Sequence, residues 1–194
     1  MGPFSKTRVE TFSDGIFAII VTLLVLEIKV PHLAPQAGMK ELADQLHHLV
    51  PKFLSWVISF FTVCVIWINH HRVFDAVEKV SGGFFWLNAL LLLWCSFVPF
   101  PTALMGDYPQ NPLAVSLYGA VMALMALSFF FMRMNLYHAG QKSSRMAALA
   151  RQSLLFGFVP YAVAAGLAWV SPGVAMFIYF AIPVYFAWPR RAHA

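Results

Sequence analysis

Charged residues are scarce in this sequence, and their scarcity excludes an ordinary water-soluble domain. Asp, Glu, Lys and Arg make up 11% of the 194 residues, whereas hydrophobic residues make up 60%. In soluble domains, charged residues average about 25% and hydrophobic residues about 45–50%. The stretches 84–106 and 113–132 contain no Asp, Glu, Lys, Arg or His. Because each can cross a hydrocarbon core of about 30 Å as a helix, the sequence predicts an all-α membrane protein.

Cysteine is also sparse, which argues against a disulfide framework or a thiolate metal centre. Cys64 and Cys95 are the two cysteines, and both lie in apolar runs without metal-type spacing. No phosphate-binding loop and no set of nucleophile, base and orienting residue is visible. We therefore predict that the protein is not an enzyme, and that it has no cofactor and no tightly bound metal.

Six apolar segments with mostly short connections predict a single six-span transmembrane domain over residues 1–194. The approximate spans are 12–30, 52–69, 83–105, 112–133, 152–170 and 173–188. Prolines inside spans predict kinks, which neighbouring helices can accommodate: Pro99, Pro101, Pro160 and Pro183. Helically spaced leucines in the connection 32–50 predict a short amphipathic helix at the outer interface, with an inner counterpart in 137–150.

In a membrane protein, the positions of the basic residues behind the net charge of +5 indicate the orientation in the membrane and do not imply nucleic-acid binding. With six spans both termini share one side of the membrane. Ten basic residues fall on that side: Lys6, Arg8, Arg72, Lys79, Arg133, Lys142, Arg145, Arg151, Arg190 and Arg191. Three fall on the other: Lys29, Lys40 and Lys52. The count predicts a protein of the cell membrane with both termini in the cytoplasm. We expect it to contact membrane lipid and no nucleic acid.

A secretory signal peptide is an alternative interpretation of the first segment. Lys6 and Arg8 precede a short apolar run, as in such peptides. Asp14 and Glu27 at the ends of that run are unusual for a signal peptide. Cleavage would also remove one span, so the basic residues would no longer sort onto the two sides of the membrane as described above.

The first span is also the one that suggests chemistry. Its uncharged part, 15–26, is only about 18 Å long as a helix, so Asp14 and Glu27 lie near membrane depth. Such carboxylates either mark the interfaces or belong to a functional site. At about 100° per residue, one face of this helix collects an aliphatic stripe and one hydroxyl, with Asp14 nearly opposite: Gly15, Ile19, Thr22, Leu23 and Leu26. Such a stripe is ordinarily a packing or lipid-facing surface.

Two short motifs give the first two spans a family resemblance. Arg8, Phe12, Ser13 and Asp14 form the pattern Arg-x-x-x-Phe-Ser-Asp, and the second span contains Trp-x-x-His at Trp67 and His70. These motifs resemble the transmembrane protein 175 family of potassium channels. The resemblance is specific over some thirty residues, and the six-span layout agrees with it.

The resemblance implies a potassium-selective or potassium-preferring channel that conducts passively. It implies a homotetramer whose pore is lined by the first helix of each subunit, without a separate filter loop. The family's hydrophobic gate falls on Ile19, Leu23 and Leu26. Its selectivity-linked hydroxyl falls on Thr22, so that K⁺, the permeant ion, would pass close to Thr22 and Ile19.

The remaining motif residues are interpreted as anchors of the pore helix. We expect hydrogen bonds to hold that helix against its scaffold, with His70 as the best partner of Asp14. The proposed anchors are Arg8, Phe12, Ser13, Asp14, Trp67 and His70. Trp67 is alternatively an interfacial belt aromatic.

Three other functions remain alternatives. A secondary transporter would explain intramembrane carboxylates and proline-broken spans, and it would show saturating, substrate-coupled flux. A scaffold would show no flux. A membrane oxidoreductase would use the pairs His47-His48 and His70-His71 as metal or haem ligands, but adjacent helical side chains diverge by about 100° and the two pairs lie on opposite sides of the membrane.

Overall fold

A computed structural model describes residues 4–139 and 144–187, and within these ranges the chain is built from helices with no strand. The helices, in order, are α1 (Lys6–Leu23), α2 (Met39–His48), α3 (Val50–Asp75), α4 (Gly82–Phe97), α5 (Pro99–Asp107), α6 (Pro112–His138), α7 (Ser144–Gln152), α8 (Val159–Leu167) and α9 (Pro172–Ala187). A 3₁₀ turn, Leu24–Glu27, continues α1, and a π-helical turn, Ser153–Phe158, joins α7 to α8. The predicted all-α class is confirmed.

Five helical segments in the described residues are long and apolar enough to cross a membrane. They are Lys6–Glu27, Val50–Asp75, Gly82–Asp107, Pro112–His138 and Ala147–Leu167. The apolar helix Pro172–Phe186 is shorter, so the sixth span stays a prediction, and its expected last residue, 188, lies outside the described residues. The first two segments begin or end well beyond their predicted limits, because hydropathy detects only the apolar part of a helix whose polar ends continue into the interface.

The centre of the subunit is α6, which packs against α4, α5, α7, α8 and α9. It begins at Asn111, whose side chain accepts hydrogen bonds from the backbone N–H groups of Leu113 and Ala114, with Pro112 at the first helical position. An amide cap and a proline at this position are a common helix start. Tyr118 of α6 and Tyr179 of α9 are both buried, with ring centroids 5.2 Å apart. The apolar core therefore surrounds α6 and leaves α1 at one side.

The four prolines inside the predicted spans differ in effect. Pro99 separates α4 from α5, and Pro160 lies at the start of α8, directly after the π-helical turn. A proline removes a backbone N–H and crowds the preceding turn, so helix boundaries at these positions are expected. Pro101 and Pro183 lie within α5 and α9, which continue through them.

The short amphipathic helix expected between the first two spans is present as α2, in which no residue is buried. The segment 137–150, expected to form an inner counterpart, is divided between the end of α6 and α7, and its residues 140–143 lie outside the described residues, so this helix stays a prediction. Lys52 at the start of α3 forms an ion pair of 2.5 Å with Asp107 at the end of α5. This pair and the packing of Gly106 against Lys52 join α3 to α5.

Gly119→Ala should destabilise the protein by about 1–3 kcal/mol, because the new methyl group would overlap Tyr179 and approach the Ala165 side chain to 3.0 Å. Gly166→Ala is the matched control, since nothing lies within 4 Å of its added Cβ. We expect a lower Tm for the first variant in detergent and a Tm close to that of the wild type for the second. Equal Tm values would contradict the packing at Gly119.

Candidate functional site

The first helix has one buried stripe, which packs against α3 and α4. The exposed fractions along this stripe do not exceed 6%, and its members are Val9, Ser13, Phe17, Ile20 and Leu24. Their spacing of three or four residues is that of one helix face. Within the isolated subunit, α1 is therefore held from one side.

The opposite face of α1 carries the four residues predicted to form the gate and the selectivity position. Ile19 is 58% exposed, Leu23 is 42% exposed and Leu26 is 60% exposed, and Thr22 is also exposed. Gly15 shares this face, and a Cβ added to it would meet nothing within 4 Å. The structure thus brings the predicted pore residues together on a surface that the rest of the subunit leaves uncovered.

The 3₁₀ turn changes the predicted alignment of this face. Side chains at i and i+3 eclipse one another in a 3₁₀ helix, whereas they diverge by about 60° in an α-helix. Leu26 lies in the turn and Leu23 directly precedes it, so Leu26 is stacked more nearly over Leu23 than the α-helical wheel predicted. The turn ends at Glu27, and just after it Lys29 Nζ donates a hydrogen bond of 3.0 Å to the Leu26 carbonyl.

The hydroxyl of Thr22 is oriented by its own helix. Thr22 Oγ1 donates to the carbonyl oxygen of Ile19 over 2.8 Å, with the carbonyl of Ala18 also within 3.2 Å. A hydroxyl has one proton and two lone pairs. Because the proton is engaged with the backbone, the lone pairs remain available to a donor or a cation on the exposed face.

The buried side of α1 is fastened by a chain of hydrogen bonds across three helices. Asn88 of α4 donates through Nδ2 to Ser13 Oγ over 3.0 Å, and Ser13 in turn donates to the carbonyl of Val9 over 2.8 Å. His70 Nε2 of α3 lies 2.8 Å from Asn88 Oδ1, an acceptor, so the hydrogen on this bond belongs to His70. All three polar side chains are at most 1% exposed.

Asp14 is paired with a different residue from the one expected. Trp67 Nε1 donates to Asp14 Oδ1 over 2.9 Å, whereas His70 bonds to Asn88. The expected hydrogen bond between Asp14 and His70 was therefore wrong. The cause is the helix geometry: Ser13 faces α4 and His70, while Asp14, about 100° further round, faces the exposed side of α3.

Two other signature residues take no part in this network. Phe12 is 62% exposed, and Arg8 is exposed without a hydrogen bond or ion pair to another described residue. The structure therefore pairs Asp14 with Trp67 and links Ser13 to His70 through Asn88, but it leaves Arg8 and Phe12 on the outward side of α1.

The described residues offer no cluster of three His, Cys, Asp or Glu side chains able to hold a metal ion. His71 approaches Glu10 and Asp75 at 3.9 Å each, distances too long for direct hydrogen bonds. His47 and His48 lie side by side on the exposed α2. The geometry at both histidine pairs thus gives no support to a haem or metal centre.

Comparison with known proteins agrees with this surface. A family model described as the endosomal/lysosomal potassium channel TMEM175 matches residues 8–99. A potassium channel of Chamaesiphon minutus is 39% identical over 193 residues, covering 93% of this chain and 92% of that protein. The chain belongs to the TMEM175 family. A potassium channel of Streptomyces collinus is 34% identical, covering 92% and 90%.

Solved structures and a human relative extend the comparison. The crystal structure of a lysosomal potassium-selective TMEM175 homolog from Chamaesiphon minutus superposes with a TM-score of 0.84 at 38% identity, over 94% of this chain and 96% of that one. The human endosomal/lysosomal proton channel TMEM175 is 35% identical over 115 residues, 57% of this chain but 23% of that protein. The family consists of ion channels, which confirms the prediction that the chain is not an enzyme.

Sequence reasoning missed Asn88, the residue that joins the two TMEM175 motifs. It is the one amide in the apolar run of α4, where an unpaired amide would be costly. An isolated polar residue within a span is a signal for an interhelical bond. The sequence contains that signal, but it does not identify the partner helices.

Asn88→Ala should destabilise the fold by about 1–3 kcal/mol, because it leaves the buried polar groups of Ser13 and His70 without their partner. Ser96→Ala on the same helix is the control, since Ser96 is exposed and bonds only to its own helix. The Tm in detergent should fall for the first variant and remain close to the wild-type value for the second. An unchanged Tm for Asn88→Ala would show that the network does not anchor α1.

Proposed function

We propose that this protein is the subunit of a homotetrameric potassium channel in which α1 lines the central pore. Conduction is passive, K⁺ is the permeant ion and no cofactor takes part. The proposal is supported by full-length relatives that are themselves described as potassium channels, and by a related crystal structure described as potassium-selective. The same channel function is expected here because the similarity extends over more than nine-tenths of each chain.

The observation that carries the proposal is the uncovered face of α1. Ile19 and Leu26 are each more than half exposed, although α1 and the 3₁₀ turn that continues it bury five other positions almost completely. One helix cannot enclose water, but identical subunits close around a rotation axis. Four copies with this face turned to the axis would place the gate residues in rings.

The gate follows from the apolar character of these rings. Ile19, Leu23 and Leu26 present branched hydrocarbon, and a narrow aliphatic constriction excludes water and therefore ions. From Ile19 to Leu23 the α-helix rises about 6 Å. From Leu23 to Leu26 the tighter 3₁₀ geometry adds about 6 Å. The proposed constriction is thus about 12 Å long, with its two outer layers aligned by the 3₁₀ turn.

Selectivity is assigned to the hydroxyls of Thr22. Each lies between the Ile19 and Leu23 layers along the helix, and its proton is engaged by the backbone. A ring of hydroxyl oxygens can replace part of the water around a dehydrating cation. K⁺ sheds water more readily than the smaller Na⁺, so a ring that replaces hydration only in part favours K⁺.

The membrane arrangement rests on the distribution of basic residues. Ten of the thirteen Lys and Arg residues fall on the side of the termini in the six-span arrangement. We therefore place both termini in the cytoplasm and the protein in the cell membrane, with Ser13 and Asp14 toward the inner end of the pore and Lys29 toward the outer end.

Ile19→Ala should increase potassium leak through the reconstituted protein several-fold, because a smaller side chain widens and wets the first hydrophobic ring. The measurement is K⁺ flux into proteoliposomes at a fixed protein-to-lipid ratio. Leu93→Ala is the control, since Leu93 on α4 is 59% exposed and so matches Ile19 in exposure. Equal flux from the two variants would reject Ile19 as a gate.

Thr22→Val should reduce the preference for K⁺ over Na⁺ while leaving the size of the side chain nearly unchanged. The loss of the oxygen removes the proposed ligand, so the reversal potential under opposed K⁺ and Na⁺ gradients should move toward zero. Thr22→Ser retains the hydroxyl and should retain the preference.

A pH-sensitive dye in the same vesicles distinguishes K⁺ flux from proton flux, the activity named for the human relative. Unaltered selectivity in Thr22→Val would contradict the assignment.

A further inference from the structure

Arg133, near the cytoplasmic end of α6, is a buried cation that the proposed pore does not use. It is 6% exposed and lies in the most buried of the membrane-spanning helices. Its Nη1 donates to the Leu149 carbonyl over 3.0 Å and contacts Ser153 Oγ, and its guanidinium lies 5.6 Å from the Phe129 ring centroid. Within the described residues its Nε has no hydrogen-bond partner.

No carboxylate neutralises this guanidinium. The eight Asp and Glu residues of the chain all lie in the described ranges, and none forms an ion pair with Arg133. The charge of Arg72 on α3 acts on Arg133 with the same sign and opposes it. Burial of an unpaired charge at membrane depth is costly, so such residues ordinarily face a partner or a functional cavity.

Arg133 lines a partly open cleft between α3, α6, α8 and α9. Polar groups lie at the Arg133 end, where Asn69, Gln152 and Ser153 contribute amides and a hydroxyl. Most of the remaining lining is apolar, with Met122 of α6 and Ile182 of α9 among its residues, although Thr62 and Tyr161 add two hydroxyls. The cleft thus has one cationic, hydrogen-bonding end and a mainly hydrocarbon remainder.

We propose that this cleft binds an anionic lipid, with its phosphate on Arg133 and one acyl chain between α6, α8 and α9. Arginine recognises phosphate through several N–H donors, and the Arg133 Nε, which bonds to none of the described residues, is available for such a bond. Anionic phospholipid is plentiful at the inner face of membranes, where the six-span arrangement places Arg133.

Purified protein in a nonionic detergent, titrated with oleoyl lysophosphatidic acid, tests this proposal. The wild type should show a saturable rise in Tm. Oleoyl lysophosphatidylcholine, with the same chain but no net charge, and inorganic phosphate, without a chain, should each give a much smaller rise. A response to phosphate alone as large as that to the lipid would overturn the acyl site, and an equal response to both lysolipids would overturn the anionic site.

Two variants assign the effect to this cleft. Arg133→Gln keeps a hydrogen-bonding side chain without the charge and should raise the apparent Kd at least about tenfold, the loss expected for one charge-assisted bond. Arg133→Lys should retain part of the response. Ala126→Leu keeps Arg133 but extends a side chain into the cleft, so it should also weaken binding and serves if Arg133→Gln fails to fold.

Leu93→Ala on the exposed face of α4, outside both the cleft and the proposed pore, is the control and should bind as the wild type does. Wild-type affinity in Ala126→Leu, or in a folded Arg133→Gln, would overturn the proposal. The measurement needs no ion conduction, so its failure leaves the channel assignment untouched, and a non-conducting protein that binds the lipid would still support the site.

Discussion

The hydrogen bonds of Asn88 to Ser13 and His70 fix the rotation of α1 about its own axis. Apolar packing alone sets that rotation only loosely, because a helix rich in Ile, Leu and Val finds hydrocarbon on every side in a membrane. A polar side chain at membrane depth has no water to replace a lost partner, so it accepts few orientations. With Ser13 turned to α4, the side chains about 180° away must point outward. The exposure of Ile19 and Thr22 is therefore a consequence of contacts on the opposite face.

The same constraint explains why the two motifs belong together although more than fifty residues separate them. Ser13 and Asp14 are adjacent and diverge by about 100°, so one reaches α4 and the other the indole of Trp67. Trp67 and His70 lie nearly one helical turn apart on α3, which allows one to bond Asp14 and the other Asn88. Two contacts whose directions differ by about 100° around α1 resist rotation of the helix more strongly than a single contact.

The sequence predicted the helical class and the outward face of α1 because these depend on local periodicity. Of the six proposed anchors, Ser13, Asp14, Trp67 and His70 do form hydrogen bonds between helices, whereas Arg8 and Phe12 do not. The sequence did not predict Asn88 as the centre of the network, since the choice of partner depends on which helices pack together. The pairing of Asp14 with His70 failed for the same reason. The 3₁₀ turn at Leu24–Glu27 was also missed, because the apolar periodicity of four residues does not distinguish 3₁₀ from α geometry. Arg133 was counted only as a topology signal, because its burial depends on the packing of α7 and the π-helical turn against α6.

Exposure by itself does not separate a pore face from a lipid face. On α9 the exposed side chains Phe177, Phe180 and Val184 are large and apolar, as lipid contact requires. On α1 the outward face also carries Arg8, Thr11 and Thr22, all exposed. A cation at the inner end can reach the interface, but the hydroxyls gain nothing from hydrocarbon. Facing a water-filled axis they gain solvent and ions, while the aliphatic layers between them provide the barrier. The mixture of hydroxyl and hydrocarbon on one stripe therefore favours the pore over the lipid as the surroundings of α1.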